Sequence, residues 1–175
     1  LFQIMDLERE QNEEQKIELT EEMVGDISFE DVCFRYGSRK EIFSALNLTI
    51  EKRKMTAIVG ESGSGKTTLM SLLQHIYPIQ GGHIRIGKHD IAEIDNRSLR
   101  QRIGTVPQHI ELFSGTITEN IAVGELHPKM IRIKALMEML GLEEFIERQP
   151  KGYQTQIGEH GVNLSGGERQ RIAIA

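Results

Sequence analysis

Cysteine occurs once in the 175 residues, as Cys33, so no disulfide can form within the chain and a reducing compartment is the expectation. Cys33 itself reads as a small buried strand residue. No stretch approaches the roughly 18 apolar residues that a membrane-spanning helix needs, and none has the pattern of a secretory signal. The six histidines, at 75, 83, 89, 109, 127 and 160, include no pair at helical i, i+4 spacing, which removes the usual zinc arrangement. No dense basic stripe is present, so nucleic acid is not an expected partner. The net charge is −5, and it belongs to one segment: residues 1–26 hold nine acids and two bases, leaving 17 acids and 19 bases for residues 27–175.

What is present suits a single soluble globular domain, with 38% hydrophobic and 27% charged residues. Its organising stretch is Gly60-Glu61-Ser62-Gly63-Ser64-Gly65-Lys66-Thr67-Thr68, which fits the phosphate-binding pattern G-x-x-x-x-G-K-[ST]. The run Met55–Val59 before it predicts a strand buried on both faces of a parallel sheet. After it, Leu69, Leu72, Leu73 and Ile76 recur at helical spacing and predict a helix with one apolar stripe. Glycines allow the backbone to turn its N–H groups inward around a polyphosphate, and the helix start adds partial positive charge. In that arrangement Lys66 reaches the β- and γ-phosphates and Thr67 coordinates magnesium. The competing reading is a glycine-rich turn that merely precedes a helix.

Along the rest of the chain, Leu1–Leu7 looks like the end of an apolar helix cut from something upstream, and Glu8–Glu22 reads as a solvated acidic linker. Partial alternation predicts strands at Ile27–Phe34 and Ala45–Ile50, resembling an antiparallel pair. Tyr36, just after the first, could stack on an adenine or be a half-buried strand aromatic. Further strands are expected at His83–Gly87 and Ile103–Val106, with a short helix at Arg97–Arg102 between them. Gln108 follows as either an oxygen donor to magnesium or a solvated loop residue. Pro128 and Gly141 bracket a helix whose Ile133, Leu136, Met137 and Leu140 share a face, its methionines serving as core filler.

A second helix start appears at Leu164-Ser165-Gly166-Gly167-Glu168-Arg169-Gln170. Ser165 and Glu168 match the capping box S-x-x-E, which accounts for both. It does not account for two glycines in the first turn, where each costs roughly 0.8–1 kcal/mol relative to alanine. Bare N–H groups beside a serine hydroxyl make a second anion site.

These features, in this order and spacing, resemble the ATP-binding domain of ATP-binding cassette (ABC) transporters over residues 27–175. The resemblance implies an α/β P-loop core with a mostly parallel sheet, an antiparallel β subdomain and a helical subdomain. It implies ATP and Mg2+ as ligands, with Tyr36 on the adenine, residues 60–68 on the phosphates, and Thr67 and Gln108 at magnesium. It further implies a head-to-tail dimer with a second such domain, in which Ser165, Gly166, Gly167 and Glu168 meet the partner's ATP. Thr155-Gln156-Ile157-Gly158-Glu159-His160-Gly161 resembles the T-x-V-G-E-x-G stretch of exporters, with Ile157 in place of valine. Residues 1–26 then correspond to the end of a membrane-domain helix and a linker, and the domain would lie on the cytoplasmic face of a membrane. The segments Phe113–Ile117 and Glu119–Ala122 point to lipid, drug or peptide exporters, and a peptide or bacteriocin cargo is preferred.

The family's magnesium aspartate, water-polarising glutamate and a later histidine follow the LSGGE helix, and this sequence ends at Ala175 without them. No catalytic carboxylate is therefore expected within the chain, which should bind ATP yet hydrolyse it very poorly. Core strands would also be missing, so marginal stability or self-association is expected. A soluble ABC clamp in DNA repair or translation is the alternative from another class; a nucleotide kinase would share the phosphate loop but not LSGGERQ.

Overall fold

In a computed structural model, which describes residues 16–158 and 164–175, the expected antiparallel pair forms as β1 (Ile27–Phe34) and β2 (Phe43–Ile50). With β3 (Gly81–Ile86) and β4 (His89–Asp90) they make a four-stranded sheet in the order β2-β1-β3-β4, every neighbour antiparallel. β1 buries Phe29, Val32 and Phe34, so the inward positions skip once from a spacing of two to three. The skip is a bulge: pairing with β2 shifts register between Phe29 and Val32, and Asp31 takes φ 49°. Asn47 secures it, its Oδ1 accepting from the Asp31 N–H at 3.0 Å and its Nδ2 donating to Asp31 Oδ1 at 2.8 Å. That bulge is why the alternation in the sequence is only partial.

Helix α1 (Lys66–Leu73) lays Leu69, Leu72 and Leu73 on this sheet's core beside Ile84, Ile86 and Leu99. Fully burying each such side chain contributes about 1.5–3 kcal/mol. Ile76, expected on the same stripe, is 48% exposed. The helix stops before it, Gln74 being the C-cap and His75 adopting φ 51°. Helix α2 (Asn96–Gln101) starts where the Asp95 carboxylate accepts from the Ser98 N–H at 2.7 Å.

The acidic stretch read as a solvated linker is partly built into this unit. Ile17 forms a parallel bridge with Ile94, the Leu19 N–H donates to Ser98 Oγ at 3.0 Å, and Leu19 is only 2% exposed. One leucine among acids gives little periodic signal, which is why composition alone misreads it. The expected helix at Leu1–Leu7 lies outside the described residues.

Two expected strands are not seen. Met55–Val59 and Ile103–Val106 belong to neither sheet, and among the described residues no parallel sheet is present. Met55 is 100% exposed and Val59 89%, whereas a strand buried on both faces needs a neighbour on each side. Ala57 and Ile58 instead line an apolar recess of about 370 Å³ with Phe43, Leu46 and Leu48 of β2.

The chain divides into two compact units after Gly104. In the second, β5 (Gly115–Thr116) pairs with β6 (Gln156–Ile157), and α3 (Ile117–Ile121), α4 (Met130–Met139), α5 (Glu143–Glu147) and α6 (Gly166–Ile174) surround a core of their own. That core includes Ile117, Ile133, Met137, Leu142 and Ile172. Met137 is fully buried and Met139 is 80% exposed, so core filling describes only the former. Asn120 is buried and ties the turn before α3, accepting from the Phe113 N–H at 2.8 Å and donating to the Phe113 and Thr116 carbonyls at 3.0 Å.

Gly82 sits at φ 80°, and a Cβ there would lie 2.3 Å from the Glu30 carbonyl oxygen and 2.4 Å from that of Asp31, directly against the β1 bulge. Gly82→Ala is expected to destabilise the first unit by about 2–4 kcal/mol, read as a lower urea midpoint; an unchanged midpoint would contradict this account of the bulge.

Candidate functional site

Helix α1 begins at Gly65, which takes φ 92° and ψ 7° and offers no side chain to cap the first turn. That left-handed geometry favours glycine, and space requires it as well: a Cβ would lie 2.9 Å from Ile42 Cγ2 and from the Phe43 ring. The loop ahead of it closes through a hydrogen bond from the Ser64 N–H to the Glu61 carbonyl at 3.2 Å, with Gly63 at φ 83°. The first-turn N–H groups are thus left free of capping side chains at the positive end of the helix dipole.

Lys66 folds over the loop. Its Nζ donates to the Gly60 carbonyl at 2.8 Å, the Glu61 carbonyl at 2.7 Å and Ser64 Oγ at 3.3 Å. Carbonyl dipoles are weaker partners for an ammonium than phosphate oxygens, so a polyphosphate in the loop would compete favourably for Nζ. Thr67 is exposed on the first turn, whereas Thr68 is 7% exposed and accepts from the Tyr36 hydroxyl at 3.3 Å. The residues present fit a polyphosphate. For magnesium, no group of three or more His, Cys, Asp or Glu able to hold a metal exists among the described residues. The Thr67 hydroxyl, phosphate oxygens and water would supply its ligands, a donor set that suits this small, hard cation.

Tyr36 lies just beyond β1, half-buried, with its ring edge-on to Phe34 at 4.9 Å and to Tyr77 at 5.0 Å. The ring is half-buried, as the second of the two readings has it, and the Thr68 contact joins it to α1. Sequence reasoning did not single out Tyr77. Its only signal is an aromatic immediately before Pro78, past the end of the helix.

In the second unit, α6 starts at Ser165 with a complete capping box. Ser165 Oγ accepts from the Glu168 N–H at 3.2 Å and donates to Glu168 Oε2 at 2.7 Å, and the Ser165 N–H donates to the same oxygen at 2.9 Å. The box takes up the N–H groups of Ser165 and Glu168, leaving those of Gly166 and Gly167 outside it. Both glycines are exposed; a Cβ on Gly166 would meet nothing within 4 Å, and one on Gly167 only an Arg171 guanidinium nitrogen at 3.6 Å. Packing among the described residues therefore does not require glycine at either position. Gln108 is exposed and lines a cavity of about 680 Å³ with Pro107, Gly166, Arg169 and Gln170. The structure thus gathers Tyr36, Thr68 and the phosphate loop in one unit, and Gln108 with the α6 start in the other.

An uncapped glycine loop over which a lysine folds, opening an amphipathic helix, defines a P-loop nucleotide-binding protein. The ABC transporter family profile matches residues 43–175, and the chain belongs to that family as an ATP-binding domain homologous to those of Atm1-type exporters. It is 41% identical over 151 residues to the mitochondrial iron-sulfur clusters transporter ATM1 of Gibberella zeae, a match covering 86% of this chain and 22% of that protein. With the ATP-dependent lipid A-core flippase of Legionella pneumophila it shares 39% identity over 175 residues, all of this chain and 29% of that one. Among solved structures, a bacterial Atm1-family ABC exporter with ATP bound superposes with a TM-score of 0.88 and 36% identity, over 99% of this chain and 30% of that one. The chain thus spans less than a third of the length of these relatives. Relatives named as transporters and flippases do not favour the soluble clamp.

The capping box also makes a titration measurable. Hydrogen bonds from the Ser165 hydroxyl, then the Ser165 N–H, hold the Glu168 carboxyl below its ordinary value, with Arg148 and Arg171 adding to the shift and burial opposing it. A depressed folded pKa means that the stabilising contribution is complete above the ordinary glutamate value and is lost as pH falls through the lower, folded one. An NMR titration of the Glu168 carboxyl should show a midpoint below that of exposed glutamates, returning towards it in Ser165→Ala; equal midpoints in the two proteins would contradict the box.

Proposed function

We propose that the chain belongs to the ATP-binding and ATP-hydrolysing module of a membrane exporter, and that it carries the binding half of the catalytic machinery. The observation that supports this most directly is the uncapped start of α1 behind Gly65, with Lys66 already bridging the Gly60 and Glu61 carbonyls. Residues 60–68 would cradle the phosphates, Tyr36 would stack on the adenine, and Thr67 would hold Mg2+ together with phosphate oxygens and water. Mg2+ held by Thr67 would supply charge neutralisation at the phosphate oxygens.

The second helix start supports a partner in trans. Among the described residues Gly166 and Gly167 meet no packing demand, and they cost helix propensity, which makes sense where another molecule's phosphates approach the bare N–H groups. Ser165, Gly166, Gly167 and Glu168 would meet the ATP held by a second such domain, head to tail, with the Ser165 hydroxyl turning away from Glu168 to do so. Residues 1–26 would join the domain to the membrane domain of the same parent chain, on the cytoplasmic face. No helix among the described residues is long and apolar enough to cross a membrane, so translocation would be the work of that other part. The runs Met55–Val59 and Ile103–Val106, which lie in neither antiparallel sheet, would take places in a mostly parallel one. For the cargo, a peptide remains the preferred class, ahead of lipid or drug.

No acidic residue follows Glu168 in these 175 residues, so no carboxylate placed after α6 is available within them to orient an attacking water. Calorimetry on this chain should register binding of Mg-ATP, abolished in Lys66→Ala, while phosphate release stays near background. Transporter-like turnover, or binding indifferent to Lys66→Ala, would overturn the proposal.

A further inference from the structure

Three groups outside the phosphate loop converge on Tyr36 and the residue before it. Gln80 accepts from the Arg35 N–H through Oε1 at 2.7 Å and donates to the Arg35 carbonyl through Nε2 at 3.4 Å. Its own N–H donates to the Cys33 carbonyl at 3.0 Å. Pairing of β1 with β3 ends at Cys33 opposite Gly81, so the Gln80 side chain continues the ladder beyond the sheet and fixes the backbone that leads into Tyr36. Tyr77 then sets its ring at 5.0 Å and 87° to the Tyr36 ring, the same edge geometry that Phe34 makes at 4.9 Å and 85°. The Tyr36 hydroxyl completes the frame on Thr68.

Neither Tyr77 nor Gln80 is used as core. Tyr77 is 42% exposed and Gln80 is exposed, yet between them they restrain both the backbone approach and the ring plane of one tyrosine. A stacking platform gains from such restraint, because a ring already oriented loses less rotamer freedom when the base arrives. We infer that Tyr77 and Gln80 are positioning residues that pre-orient Tyr36 as the platform for the nucleotide base. The inference rests on the reading of Tyr36 as the adenine contact.

The test compares two ligands by calorimetry on the 175-residue chain: Mg-ATP, which has a base, and magnesium tripolyphosphate, which does not. Tyr36→Ala should weaken Mg-ATP by about tenfold and leave tripolyphosphate unchanged. Tyr77→Ala and Gln80→Ala should weaken Mg-ATP by about threefold or more, again without effect on tripolyphosphate, and Tyr77→Phe should restore wild-type affinity. If Tyr36→Ala discriminates between the ligands while Gln80→Ala matches the wild type or weakens both alike, the positioning role is wrong and the Tyr36 reading stands. Tyr77→Phe behaving like Tyr77→Ala would also overturn it. If Tyr36→Ala itself fails to discriminate, the adenine reading falls and this inference with it. Should Tyr77→Ala unfold the chain, Gln80→Ala decides, since that side chain is exposed.

Discussion

An α-helix begins with four N–H groups that find no acceptor within the helix, and what a protein does with them is a choice written in a few residues. In this chain the two glycine-bearing helix starts, those of α1 and α6, make that choice differently. Gly65 gives α1 no capping side chain and takes a left-handed conformation wedged against Ile42 and Phe43. The first-turn amides and the helix dipole then face outward together, and Lys66 adds a full charge above them. The fold around α1 can be understood as support for that geometry: Leu69, Leu72 and Leu73 fix the helix on the antiparallel sheet, and Arg100 donates from Nε to the Gln74 carbonyl at 3.2 Å at its far end.

At α6 the choice is intermediate. A complete capping box satisfies the amides of Ser165 and Glu168, which secures the helix without any ligand. Gly166 and Gly167 stay outside the box, with no packing reason to lack a side chain. The outer two residues of this turn, Ser165 and Glu168, thus serve stability, and the inner two are left open for the recognition proposed for them. This also explains how a serine and a glutamate can look wholly structural while their glycine neighbours do not.

The parts of the fold that follow local rules could be read in advance. β1 follows from its alternation, α1 from its leucine spacing, α4 from Pro128 and Gly141, and the α6 start from S-x-x-E. What escaped reading depends on partners distant in sequence. Leu19 is a core residue because Ser98 and Ile94 are there to receive its segment. Met55–Val59 has strand composition, yet composition cannot supply neighbouring strands, and the run stands exposed. Ile76 continues the leucine period past the point where His75 turns out of the helix. At the candidate site, the glycine loop and lysine carry their chemistry in their spacing. The frame around Tyr36 joins residues 34, 36, 68, 77 and 80, a convergence that only folding brings about.

Backbone amides at the uncapped start of α1 are what would hold a triphosphate. Amide-resolved NMR of the labelled chain with a non-hydrolysable Mg-ATP analogue tests it directly. The account expects the N–H resonances of Gly63, Gly65 and Lys66 to move first and furthest as analogue is added, saturating together. Shifts that leave those three amides in place, or that scatter without saturation, would contradict it.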